Sequence, residues 1–231
     1  MKPVEISKRN IMFTEKMGEE YDLNIGLITG KRHNFIIDTG LGSGSVKPIL
    51  DYIKDSKKPI IVINTHFHWD HIWGNWVFKE DIIISHRKCY EFENKYWEKA
   101  FEKFSEKADG EVQKALPNLV FDKNLYFPED GIELFFTPGH SADAISIYDQ
   151  LDKVLYAGDN IGDTADEIVP YIDTDMETFK STIELYKNYD FDYCISGHNK
   201  PQGKDIAERM DIALEKSWKK QIEKWGLPEK S

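Results

Sequence analysis

Residues 59–71 read PIIVINTHFHWDH, from Pro59 to His71. The first half is a continuous apolar run, Ile60-Ile61-Val62-Ile63, of the kind found in a strand buried on both faces. The second half places three imidazoles and a carboxylate, His66, His68, Asp70 and His71, within six residues, directly after that strand. Imidazole and carboxylate together suit zinc, iron or manganese, and a strand-to-helix loop can bend so that several of them converge on one ion. With this chain's composition, H-x-H-x-D-H is expected by chance about once in two thousand such chains, so the pattern is specific.

Outward from this stretch, further metal-ligating residue types recur at predicted strand ends. His140 stands in Thr137-Pro138-Gly139-His140-Ser141, Asp159 in Ala157-Gly158-Asp159 and His198 in Ser196-Gly197-His198. The ends of strands are where open α/β sheets assemble their sites. The glycine before each is read as a sharp turn that aims the side chain. Strands are predicted at 24–29, 34–37, 59–64, 81–85, 119–121, 132–137, 144–148, 154–157 and 193–196. Helices are predicted at 46–54, near Ile72, at 176–188 and at about 205–225. A further amphipathic helix is expected over about 87–116, where Trp97, Phe101, Phe104 and Ala108 share one face on a Glu/Lys background. Gly110 and Pro117 punctuate its end.

The ordered set IIDTG (ending at Gly40), THFHWDH, TPGHS, YAGD and SGH resembles the metallo-β-lactamase superfamily over about residues 24–198. The resemblance implies an α/β (α+β) fold, a four-layer αββα sandwich with a one- or two-metal site at one edge. It also implies one domain over 1–231, carrying the helical insertion at about 87–116 and the C-terminal helix at about 205–225. By position, His66, His68 and His140 would bind one metal, Asp70, His71 and His198 a second, with Asp159 and a hydroxide bridging them. Asp38 matches an aspartate that orients a ligand loop or a histidine ring. The true β-lactamases of the superfamily carry cysteine where this chain has Asp159. The flavodiiron reductases carry Glu where His68 stands. Glyoxalase II shares all seven ligands but adds a long helical domain, whereas 33 residues follow His198 here.

The implied chemistry is hydrolysis by a dinuclear site, with two divalent metals, zinc ahead of iron or manganese. A bridging hydroxide would attack an ester, lactone or thioester carbonyl, while Asp70 or Asp159 accepts and relays the proton. A phosphodiester fits the same machinery. A mononuclear iron site acting as a sulfur (persulfide) dioxygenase is the oxidative alternative.

Composition narrows the partners. Lys+Arg 30 against Asp+Glu 41 gives −11, and no cluster of five or more basic residues appears, which argues against nucleic acid and against anionic membrane. No apolar run approaches a membrane span. The start, MKPVEISKRN, lacks the apolar core and cleavage site of a signal peptide. Two cysteines, Cys89 and Cys194, make no disulfide framework and fit a reduced, cytoplasmic setting. A small-molecule substrate is expected, with room for a homodimer. His33 reads as a solvated turn residue and His86 as a helix-start residue. The tryptophans at 69, 73 and 76 either line a substrate pocket or pack the ligand loop against the sheet. In the family an insertion at the position of 87–116 often covers the site, and here a lid and a plain core helix remain the two readings.

Overall fold

The structure, a computed structural model, describes residues 1–17, 21–164 and 167–225. Its first sheet contains β1 (Lys2–Glu5), β2 (Asn10–Met17), β3 (Tyr21–Thr29), β4 (Asn34–Ile37), β5 (Ile60–Ile63), β6 (Ile82–His86) and β7 (Leu119–Phe121), in that spatial order. β1 to β4 are antiparallel, and β4 to β7 run parallel. The second sheet contains β8 (Asn124–Phe127), β9 (Ile132–Phe136), β10 (Ile145–Asp149), β11 (Val154–Gly158), β12 (Tyr193–Ser196) and β13 (Gln202–Gly203), with order β13-β12-β11-β10-β9-β8. Its one parallel pair among the described residues is β11–β12.

The period-two alternation of the strands builds the layers. Phe35, Ile61, Ile63, Leu134, Ile147 and Tyr156 point between the sheets and form the central core. Their neighbours Ile36, Val62 and Ile83 point outward under α1 (Ser43–Tyr52), whose Val46 and Ile49 cover them. On the far side Phe135, Leu155 and Ala157 meet α4 (Met176–Lys187) and α5 (Ile206–Trp225) through Phe179, Ile183 and Met210. Each such side chain contributes roughly 1.5–3 kcal/mol by leaving water. The result is the expected helix–sheet–sheet–helix sandwich.

Two expectations change. The sequence reading named neither β1 and β2 nor β8, whose apolar positions are diluted by Thr, Glu, Lys and Asn. The helix expected over 87–116 is α3 (Arg87–Phe104), which ends twelve residues early and is followed by a single 3₁₀ turn, Ser105–Lys107. The chain then runs irregularly, with Gly110 in the left-handed region at φ 79°. The Gly44 and Ser43 amides at the start of α1 donate to the Asp109 and Glu111 carbonyls at 2.9 and 3.0 Å. Those carbonyls are committed to α1 and cannot continue a helix.

Candidate metal centre

The C-terminal ends of β4, β5, β11 and β12 lie along one edge of the sandwich, and each delivers part of the site. Asp38 follows β4, the loop 64–68 follows β5 and leads into the one-turn helix α2 (Trp69–Ile72), Asp159 follows β11 and His198 follows β12. His140 comes from the turn between β9 and β10.

All seven predicted donors converge there in two groups. His66, His68, His140 and Asp159 form one, and Asp70, His71 and His198 the other, each with its donor atoms within 4.8 Å of one another. In the first, His68 Nδ1 stands 3.0 Å from His66 Nε2 and 3.1 Å from His140 Nε2. Asp159 Oδ2 lies 3.6 Å from His66 Nε2 and 3.7 Å from His140 Nε2. In the second, Asp70 Oδ2 is 3.8 Å from His71 Nε2 and 3.3 Å from His198 Nε2. Donors placed tetrahedrally about 2.0–2.1 Å from one ion stand about 3.3 Å apart, so both groups have the spacing a divalent ion requires. The buried atoms His71 Nε2 and Asp159 Oδ1 have no hydrogen-bond partner, which the donor chemistry of such a site accounts for.

Four of the five rings are held by their other nitrogen. His66 Nδ1 contacts Thr65 Oγ1 at 3.0 Å, His140 Nδ1 the Tyr171 carbonyl at 2.9 Å, and His198 Nδ1 the Asp22 carbonyl at 2.7 Å. His71 Nδ1 donates to Asp38 Oδ2 at 2.8 Å, the partnership that fixes a ligating ring's tautomer and tilt. Asp38 also accepts from the Thr65 amide and hydroxyl, both at 2.7 Å. It therefore orients both the loop and a ring, with its own backbone in the left-handed region at φ 62°.

The glycines play two roles. Gly158 alone of the three turns with positive φ, at 53°, where a bulge interrupts the β11–β12 register. Gly197 serves close approach instead: a Cβ there would collide with Asp159 Oδ1 and stand 2.7 Å from His71 Cε1.

The sequence model described as Metallo-beta-lactamase superfamily matches residues 20–198. The chain belongs to the metallo-beta-lactamase superfamily. It is a metal-dependent hydrolase of that superfamily. The chain is 26% identical over 214 residues to the acyl-coenzyme A thioesterase MBLAC2 of Homo sapiens, covering 81% of this chain and 75% of the relative. It is 26% identical over 137 residues to a hydroxyacylglutathione hydrolase of Pelagibacter ubique, covering 58% of this chain and 49% of the relative. The solved metallo-beta-lactamase from Pontibacter korlensis shares the fold with a TM-score of 0.71 at 19% identity, over 93% of this chain and 98% of that one. No helix among the described residues is long and apolar enough to cross a membrane.

In this superfamily member the electrostatics of the site divide by group. Burial, followed by the repulsion of His71, holds His66 well below the usual imidazole range. Burial and His140 bring His68 down to about 4. Burial also opposes charge on His71 and His198, yet Asp159, Asp38 and Asp70 around the first, and Asp159 and Asp70 around the second, hold both well above it. Those cations in turn keep Asp159 and Asp70 ionised against the cost of burial. The carboxylates that raise His71 and His198 are the same groups a divalent cation would meet, so protons and cation compete for these donors.

The structure also adds a residue that the sequence reading passed over. Asp143 is fully buried, receives the Phe67 amide on Oδ2 at 2.9 Å and the Ser141 hydroxyl on Oδ1, and so fixes the backbone between His66 and His68. Its place three residues after His140 is the one hint in the sequence. His33, expected in solvent, instead meets Asp130 at 2.8 Å. His86 caps α3 as expected, accepting from the Lys88 amide at 3.1 Å. Of the acidic residues that follow Asp159, Asp163 and Glu167 are exposed and Asp166 lies outside the described residues.

Proposed function

We propose that this hydrolase holds two divalent cations and cleaves a small-molecule thioester, ester or lactone, thioesters first among them. The observation that carries the reading is Asp159 Oδ2. It stands 3.6 and 3.7 Å from donors of one group and 3.3 and 3.2 Å from His71 and His198 Nε2 of the other. A carboxylate shared in this way is what a two-metal site requires. The names of both relatives, a thioesterase and a hydroxyacylglutathione hydrolase, support the thioester class.

In this reading His66, His68 and His140 hold one cation, Asp70, His71 and His198 the other, and Asp159 both. Zinc suits the donors best, with iron and manganese accepted. Cations bound there would supply a water acidified to near neutral pH and an electrophile for the carbonyl oxygen. The Asp70 carboxylate turns Oδ2 to His71 and His198, and its other oxygen takes the proton of the attacking water and returns it to the leaving group. Asp38 holds the His71 ring in place throughout.

Elemental analysis of the protein purified without added metal, followed by an ester, lactone, thioester and phosphodiester panel, tests this. Two cations per chain with thioester turnover is expected. One iron per chain with oxygen consumed on a persulfide, or turnover of phosphodiesters alone, would replace it.

A further inference from the structure

Beside the donor cluster lies a cavity of about 150 Å³ between the ligand loop and α3. His68 lines it and also belongs to the donor cluster, so cavity and centre share a wall. Trp69, Ile72 and Trp73 form its loop side, and Trp97 and Ala100 of α3 face them. Of its lining residues, Trp73 is 0% and Glu93 1% exposed. Both Glu93 carboxyl oxygens and Trp73 Nε1 are buried without a hydrogen-bond partner. A buried polar group with no partner costs about 1–3 kcal/mol, and here two of them border one apolar cavity that shares His68 with the donor cluster.

A dry apolar cavity of this size admits a benzene-sized group, about six carbons. Burial lifts the Glu93 carboxyl well above its usual range, with Lys114 opposing and Asp143 adding to it. That shift favours the protonated acid, and with it a neutral hydrogen-bonding partner over a cation. We propose that this cavity receives the acyl group of the substrate, that it takes about six carbons, and that Glu93 binds a hydroxyl at the far end of that group. The inference rests on the proposed thioester hydrolysis. The hydroxyl donates to Glu93 or accepts from its acid proton, and either pairing ends the carboxyl's isolation.

The test is a series of acyl thioesters from acetyl to dodecanoyl, with 6-hydroxyhexanoyl beside hexanoyl, on the metal-loaded protein. kcat/KM should rise about fourfold per methylene as far as hexanoyl, from the transfer energy of each CH₂, and then fall. The hydroxylated substrate should be favoured about fivefold, the worth of one hydrogen bond. Glu93→Leu should invert that preference, Glu93→Gln should keep it, and Ala100→Phe should move the optimum to shorter chains. A flat chain-length profile, or a hydroxyl preference unchanged in Glu93→Leu, overturns the inference while leaving thioester hydrolysis in place. Titration with 1,6-hexanediol, followed by the Trp73 indole N–H resonance, reads the cavity without turnover. A shift lost in Ala100→Phe upholds the cavity's ligand even where no thioester is cleaved, an outcome that sinks the proposed function instead. No shift overturns the cavity's role.

Discussion

The donor cluster and the aromatic cavity share His68 but are built on opposite principles. In the cluster nearly every polar atom is committed. Rings are tied through their second nitrogens to Thr65, Asp38 and the Tyr171 and Asp22 carbonyls, and the carboxylates face imidazoles. In the cavity, Trp69 stacks on Phe104 at 4.9 Å and Trp73 meets Phe101 at 5.6 Å, while Glu93 and the Trp73 N–H are left without partners. A reaction centre must hold its geometry before the substrate arrives. A specificity pocket keeps its hydrogen bonds for the substrate, because an unmatched polar group is what rejects the wrong one.

The largest expected effect breaks the cluster side of this comparison. Asp159→Ala should lower metal content from two per chain toward one and reduce turnover by about a thousandfold, and His68→Ala should abolish turnover with the fold retained. Metal content and activity unchanged in either variant would remove the assignment.

Asp143 lies on the seam, holding the amide of Phe67, whose side chain lines the cavity. Burial, against the hydrogen bonds from Ser141 and Phe67, raises its carboxyl to about 6. A carboxyl raised in the folded state binds its proton there first, so its contribution to stability falls as pH rises from about 4 to 6. Asp143→Asn removes that loss and keeps an acceptor for Phe67. Urea unfolding should show the variant gaining on the parent across this window, by about 3 kcal/mol at most. A difference constant with pH would mean that the carboxyl is not shifted.

Asp38→Ala frees the His71 ring and the Thr65 loop at once. Metal affinity measured by competition with a chelator should fall about 10–100-fold, with the aromatic cavity unaffected. The smallest effect belongs to Gly158→Ala. Left-handed backbone costs an L-residue roughly 1–2 kcal/mol, and the new Cβ would press on Thr65 Cβ at 3.0 Å. Melting should drop by a few degrees, and an unchanged Tm would show that the turn relaxes.

The contrast between the two regions also marks what could be read beforehand. Metal donors are legible because their chemistry allows few residue types, and chain direction places them at strand ends. Buried strands such as β5 and β6 are legible as unbroken apolar runs, whereas β1 and β8 are partly or wholly exposed and β2 carries Thr14, Glu15 and Lys16 in its second half. The face of α3 was visible in Trp97, Phe101 and Phe104, but not that Trp97 and Phe104 line a cavity while Trp76 turns away to the Glu111 carbonyl at 2.8 Å. Glu93 reads in sequence as one acidic residue among many on a polar helix.

By itself, the sequence placed buried strands with metal-ligating residue types at their ends, because periodicity and ligand chemistry are properties of residues in order, and its resemblance to the superfamily implied the sandwich and the set of seven. Only the tertiary structure decided which backbone carbonyls steer His140 and His198, those of Tyr171 and Asp22. It alone decided that Glu93 is enclosed with no partner. These are facts of which atoms meet in space, and separations of 31 residues for His140 and Tyr171 and 176 for His198 and Asp22 leave no trace of them in the local pattern.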